Sequence, residues 1–205
     1  MKLDTLAMEW DVGAICYYIR TGEEALEILK GNPDAIFGDL AGLPRGSEVI
    51  DIDKAYDALA WLASPVKRAD TLHMARLIHE RDWPHSQIAE SAARLNEMVV
   101  DDAYAAIEGL TDERADGFDL GLGDAAVFLP DRVRSLADAI SALDEGDLRR
   151  NADFPLMDEQ DVQPSGWLEE GEQILSTYTL PALRRLKSFY EAASRQNQTV
   201  LVARG

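Results

Sequence analysis

Between Val49 and Leu62 (VIDIDKAYDALAWL) the spacing of apolar residues changes from every second position to every third or fourth. A strand that runs directly into a helix gives that change. Val49, Ile50 and Ile52 are β-favouring, with Asp51 and Asp53 between and after them. From Asp53 onward Tyr56, Leu59, Ala60 and Leu62 recur at helical spacing. Asp53 is expected to cap this helix, since its carboxylate can accept from free first-turn amides and suits the positive end of the dipole. Such a cap is worth about 1 kcal/mol. Ser64-Pro65 is expected to end the helix, because proline disfavours helical geometry in the residue before it.

Asp51 and Asp53 are also the chain's catalytic candidates, as paired carboxylates for acid/base work or metal binding. The competing assignment makes Asp53 a cap and Asp51 a solvated strand-end residue. It is preferred, because a D-x-D spacing alone says little and capping aspartates are ordinary.

The IDIDKA core at Ile50–Ala55 resembles the pattern LDIDKAWDALHWLL of the YfbM-like proteins, a bacterial family of unknown function. Tyr56 stands where that pattern has tryptophan, and Ala60 where histidine is frequent. Gly13–Leu29 matches the family's glycine, short aromatic strand and helix. Asp101–Leu110 matches a later helix. Within Leu148–Trp167, Met157, Val162, Pro164 and Trp167 match, while Gln163 replaces an aromatic residue. The resemblance covers residues 13–66 and 101–205. It implies one domain over 1–205, with 1–12 an N-terminal extension and 67–98 an inserted helical pair. It also implies an α+β fold, mostly helical, with a small mixed or antiparallel sheet formed by N-terminal, middle and C-terminal strands (at Ala14, Val49 and Thr199). Helices would cover one face, and the two chain ends would meet in the sheet. The family pattern carries no assigned activity, and Ala60 removes its most obvious catalytic side chain here.

Elsewhere the residues are read directly. Ala14–Arg20 is dense in β-branched and aromatic side chains and reads as a buried strand. Thr21 and Glu24 are expected to form a capping box for a helix over Glu23–Lys30, ended by Gly31-Asn32-Pro33. Asp34–Leu40 is expected to add one helical turn. Asp70–Trp83 and Ser86–Met98 have helical spacing. The acidic stretch Asp112–Asp124 reads as a loop, and Asp131–Leu143 as a helix with Pro130 near its start and Val133, Leu136, Ala137 and Ile140 inward. Asp144–Asn151 is a short helix. Leu168–Gln196 is one long helix, kinked at Pro181 by the missing backbone donor. Thr199–Ala203 is a final strand.

The chain has 205 residues, 46% hydrophobic, and a net charge of −18. The charge is unevenly spread: residues 101–131 hold nine acids against Arg114, residues 144–172 hold ten against Arg149 and Arg150, and residues 173–205 hold Glu191 against five bases. Nucleic acid is not expected as a ligand, since phosphate binding relies on basic patches. A basic protein partner is the electrostatic match; the competing account is that the acidity only maintains solubility. No segment approaches the ~20 apolar residues of a membrane helix, and no signal peptide is read at the N-terminus, so a cytoplasmic location is expected. Cys16 is single and reads as a buried thiol.

No metal or cofactor is expected. His73, His79 and His85 are six apart, which turns successive rings about 240° on a helix, whereas helical zinc ligands share a face at i, i+3 or i+4. Asp112–Gly123 has the spacing of a calcium loop at Asp112 and Asp116, but Arg114 and Gly123 occupy ligand positions. No nucleophile–base–orienter set, G-x-S-x-G elbow or phosphate loop occurs. The binding candidates are Asp116, Asp119, Asp124 and Trp167, the last either lining a pocket beside Tyr178 or filling the core. Taken together, these features favour a non-enzymatic binding protein, immunity- or inhibitor-like, over a hydrolase or other small-molecule enzyme working through carboxylates.

Overall fold

A computed structural model of the protein describes residues 14–36, 43–69 and 100–205. The expected extension at 1–12 lies outside the described residues, as do the three histidines and nearly all of the expected helical pair; residues 65–69 are helical. In chain order the elements are β1 (Cys16–Thr21), α1 (Glu23–Gly31), β2 (Glu48–Asp51), α2 (Ala55–Ala63), α3 (Asp102–Glu108), β3 (Arg114–Asp119), β4 (Asp124–Phe128), α4 (Pro130–Ala142), α5 (Glu145–Asn151), α6 (Phe154–Glu159), α7 (Trp167–Ile174), α8 (Leu180–Arg195) and β5 (Thr199–Arg204). A 3-10 turn, Pro33–Ile36, follows α1, and a π-helical segment, Leu175–Thr179, joins α7 to α8.

The strands form one sheet in the order β2-β1-β5-β4-β3, with every neighbouring pair antiparallel. The fold is α+β, and the expected N-terminal, middle and C-terminal strands do lie together at β1, β2 and β5. The register fixes two faces. Tyr18 lies opposite Ile50 and Val202, and Val202 opposite Ala126; Ile19 lies opposite Val49 and Leu201, and Leu201 opposite Val127. Because side chains alternate along a strand, the first set faces α2, α3, α4 and α8 in the main core. The second set packs on Leu26 and Leu29 of α1. Helices therefore cover both faces and not one, since β4 and β5 are apolar on both sides.

Four local expectations are corrected. Thr21 ends β1 and shares a hydroxyl hydrogen bond with Ser47 (2.7 Å), and Gly22 occupies the capping position of α1 with no side-chain bond. Asp53 does not cap α2: it takes positive φ (48°) in a tight turn, and Lys54 occupies the capping position without a side-chain bond. The stretch Asp112–Asp124 is a hairpin, because Ala115 and Phe118 can be buried against α1's side while the acids stay outside. The long helix is not simply kinked at Pro181. Proline cannot donate to the carbonyl four residues back, and the chain widens beforehand into the π segment, where Leu180 N–H reaches Leu175 O.

The short helix α3 is the centre of the packing. Asp101 caps it, accepting from Tyr104 N–H (2.8 Å) and from the Ser64 hydroxyl. Its C-terminal carbonyls are buried and each finds a donor. Ala105 O accepts from Gly109 and Leu110 N–H, Ala106 O from Tyr190 OH (2.8 Å), Ile107 O from Tyr18 OH (2.6 Å) and Glu108 O from Arg204 (2.8 Å). Gly109 is needed in two ways: its φ is +66°, and a Cβ there would stand 3.0 Å from Val202.

Replacing Tyr18 or Tyr190 by phenylalanine strands a buried carbonyl and is expected to cost about 1–3 kcal/mol each, measured by urea unfolding; a loss below about 0.5 kcal/mol would contradict the assignment. Deleting Thr199–Gly205 removes the strand between β1 and β4, and the truncated chain is expected to show no cooperative unfolding transition.

Candidate functional site

Asp51 is exposed at the end of β2, opposite Tyr17 of β1. Asp53 follows in the turn, and its carboxylate accepts from Tyr178 OH (2.9 Å); the same hydroxyl accepts from Lys54 N–H (3.0 Å). The π segment delivers Tyr178 to this point. Asp53 thus owes its left-handed conformation to a partner 125 residues away, and its carboxylate is occupied. Asp119 and Asp124 lie on the far side of the sheet. Asp119 Oδ1 accepts from the amides of Gly121 (2.7 Å) and Gly123 (2.9 Å), and Asp124 Oδ1 from Gly117 (3.1 Å), so both carboxylates shape the hairpin turn. Asp116 is exposed. With β1 and β5 between β2 and β4, Asp51 and Asp124 stand three strand spacings apart, about 14 Å. Asp119 and Asp124 lie opposite each other in the hairpin, but the structure does not bring them to Asp51 and Asp53.

Trp167 is fully buried; its indole N–H donates to Val162 O (2.7 Å) and its ring stacks on Phe154. Gly171 makes the stacking possible, since a Cβ there would meet the Phe154 ring at 2.4 Å. The next residue, Leu168, is instead 64% exposed. Asp158 accepts from its amide (3.2 Å), which sets the end of α6 beside the start of α7.

Many of the acids in the two acidic segments have structural partners. Asp102 pairs with Arg132, Asp131 with Arg134, Glu172 with Arg149, Asp147 with Arg150, and Glu145 with both nitrogens of Arg184 (2.6 and 2.7 Å). Asp144 and Asp153 cap α5 and α6. Left over beside Leu168 are Glu159, Asp161, Glu169 and Glu170, all exposed, whose carboxylates make no hydrogen bond or ion pair among the described residues. Leu168 and these carboxylates escaped the sequence reading; the only signal was a leucine followed by two glutamates next to a buried tryptophan.

A pocket of about 620 Å³ opens where α3 ends over the sheet, lined by Tyr104, Glu108, Arg114, Leu122, Asp124 and Arg204 among others. Beneath it lies a half-buried ionic network. Lys67 Nζ stands 2.9 Å from Asp57 and 3.2 Å from Glu108 Oε1, and Arg204 pairs with Glu108 Oε2 while its guanidinium lies 5.0 Å over the Tyr56 ring. Burial acts to lower the pKa of Lys67 and of Arg204, but the Glu108 carboxylate, aided at Lys67 by Asp57, outweighs it and raises both. Sequence reasoning had no access to this site, because its charges come from four separated segments.

Burial pushes the Tyr178 phenol up, helped by the Asp53 carboxylate that it bonds, to about 12. Tyr17 is raised by burial and then by Asp51 and Asp53. The fold therefore favours the neutral Tyr178 phenol. That contribution is complete below the ordinary value of 10.0 and is lost as pH rises towards about 12. Urea midpoints are expected to fall across this window, and to fall less steeply in Tyr178→Phe; parallel curves for the two proteins would contradict the link.

Comparison with known proteins supports the same architecture. The solved structure of YfbM from Escherichia coli, itself a protein of unknown function, is similar at a TM-score of 0.58 and 19% identity, over 92% of this chain and 98% of that one. At that identity the likeness concerns the fold alone. No curated protein matches the chain. A family model spans residues 12–203, and the chain accordingly belongs to the family described as Domain of unknown function (DUF1877).

Proposed function

We propose that this protein is a non-enzymatic binding protein that takes a basic protein partner on its acidic surface, in the manner of an immunity or inhibitor protein. The observation that carries this reading is the patch around Leu168. An exposed leucine is followed by Glu169 and Glu170, and Asp158 holds its amide, which brings up the segment of Glu159 and Asp161; among the described residues these four exposed carboxylates have no partner. An apolar anchor within a charged rim is the anatomy of a protein interface. The net charge of −18 adds long-range attraction that would steer a basic partner to it. The hairpin β3–β4 extends the same field, with Asp112, Glu113 and Asp116 exposed.

The reading is tested by immobilising the parent protein and the variant Leu168→Ala/Glu169→Lys/Glu170→Lys, and comparing what each retains from a lysate of the native host. A basic protein held by the parent, released by salt and absent from the variant is the expected result. The two baits retaining the same basic proteins, or the parent retaining none, would overturn it. Circular dichroism of the variant checks that the exposed substitutions leave the fold intact.

A further inference from the structure

We propose that the outer edge of strand β2 is a docking site for a short, extended, basic segment of a partner protein, which joins the sheet there as a further strand. The site lies on a different element from the Leu168 patch and does not rest on the partner reading above.

The first observation is which backbone groups are unpaired. β2 stands first in the strand order, with β1 on one side and no strand on the other among the described residues. In an antiparallel pair, alternate residues turn their N–H and C=O towards the neighbour and the rest turn theirs away. The phase is fixed by Ile52 N–H, which donates to Cys16 O (3.2 Å) in the same register. Ile50 and Glu48, at steps of two from Ile52, therefore face β1. Val49 and Asp51 point their N–H and C=O groups outward, and among the described residues nothing bonds to them. An extended segment laid beside β2 would satisfy these groups.

The second observation is that this edge lacks the protection of the opposite one. β3 carries a register shift between Ala115 and Asp119, with Gly117 at φ +79°, and such a bulge bends a strand out of line for pairing. β2 keeps an unbroken register with β1 from Glu48 to Asp51 and contains neither proline nor glycine. Glu48 and Asp51, at its two ends, are exposed, so the edge is not covered over.

The third observation selects the occupant. β2 reads acid, apolar, apolar, acid: Glu48, Val49, Ile50, Asp51. The Asp51 carboxylate makes no hydrogen bond or ion pair among the described residues. Both guanidinium bonds from Arg20 fall on Oε2 of Glu48, which leaves Oε1 open. Val49 and Ile50 are half-buried, so each has apolar surface left to cover. Opposite charges directly across two strands attract, and like charges repel. The complementary sequence is therefore base, apolar, apolar, base, which fits in either chain direction. A second copy of this protein would bring its own Glu48 and Asp51 and a further charge of −18, and is repelled.

The test titrates the full-length 15N-labelled protein with the acetylated, amidated peptide Thr-Lys-Val-Val-Lys-Thr and follows amide chemical shifts and amide hydrogen exchange. Saturable shifts at Val49 and Asp51 are expected, with a dissociation constant on the order of 1 mM or tighter. Exchange of those two amides is expected to slow about tenfold at saturation, which charge attraction alone would not produce. Methylating both valine nitrogens removes the N–H that must reach β2 and should weaken binding about tenfold. Replacing both lysines by glutamate should do the same. Asp51→Lys, at an exposed side chain, should narrow the preference for lysine over glutamate about tenfold with an unchanged circular dichroism spectrum. Absence of saturable shifts at β2, or shifts without slowed exchange, would overturn the proposal. So would methylated or glutamate peptides that bind as well as the first, or an unchanged preference in Asp51→Lys. Shifts centred on residues 168–170 instead would assign the peptide to the Leu168 patch and also overturn it. Shifts at Val49 and Asp51 on raising the protein concentration alone would mean that a second copy takes this edge, against the occupant proposed.

Discussion

The buried C-terminal end of α3 is the constraint on which the rest of the structure depends. A helix end leaves its last carbonyls without intrahelical donors, and away from water each needs a partner. Here the donors are collected from across the chain: Tyr18 from β1, Tyr190 from α8 and Arg204 from β5, with Gly109 turning the chain so closely that it touches Val202. Satisfying this one helix end fixes the sheet's two central strands and the longest helix relative to one another. It also explains why the interior of an apolar core holds two tyrosine hydroxyls. The edge-on contacts among Tyr18, Phe189 and Tyr190 hold those hydroxyls in place.

The same end of α3 organises the charges. Glu108 is nearly inaccessible yet ionic partners reach it from two directions, Lys67 and Arg204, while Lys67 is shared with Asp57. Removing any one member would leave a buried charge uncompensated, which costs far more than the pairing contributes in an intact network. The basic C-terminal segment is spent in this way across the molecule, with Arg184 on Glu145 and Lys187 on the carbonyls of Ser141 and Leu143. Among the described residues several of the acids that remain unpartnered lie next to Leu168 in sequence and on the β3–β4 hairpin, and others on α1, β2 and α4.

Legibility followed the range of the forces involved. The helix α4 was readable in detail: Pro130 in its first turn and Val133, Leu136, Ala137 and Ile140 buried, because periodicity and proline geometry act within one or two turns. The β3 strand was not, since Arg114–Asp119 is acidic and glycine-bearing; only burial of Ala115 and Phe118 against the far face of the sheet makes it a strand. Asp53 shows the same division. A local rule makes it a cap, but a hydrogen bond from Tyr178 holds it in a conformation that the rule does not contain. The π segment likewise answers a local defect, Pro181, in a way set by where Tyr178 must reach.

The sequence by itself determined the strand-to-helix junction at Val49–Leu62, the burial of Cys16 and the uneven distribution of charge, which follow from neighbouring residues and composition, while the α+β class followed from the resemblance to a family. The tertiary structure alone decided which carboxylates are occupied, which are left outward, and where a pocket forms. The physical reason is that a charge or hydrogen-bonding group acts according to what lies within a few ångströms of it. For Glu108 and Asp53 those neighbours are set by chain segments far away in sequence.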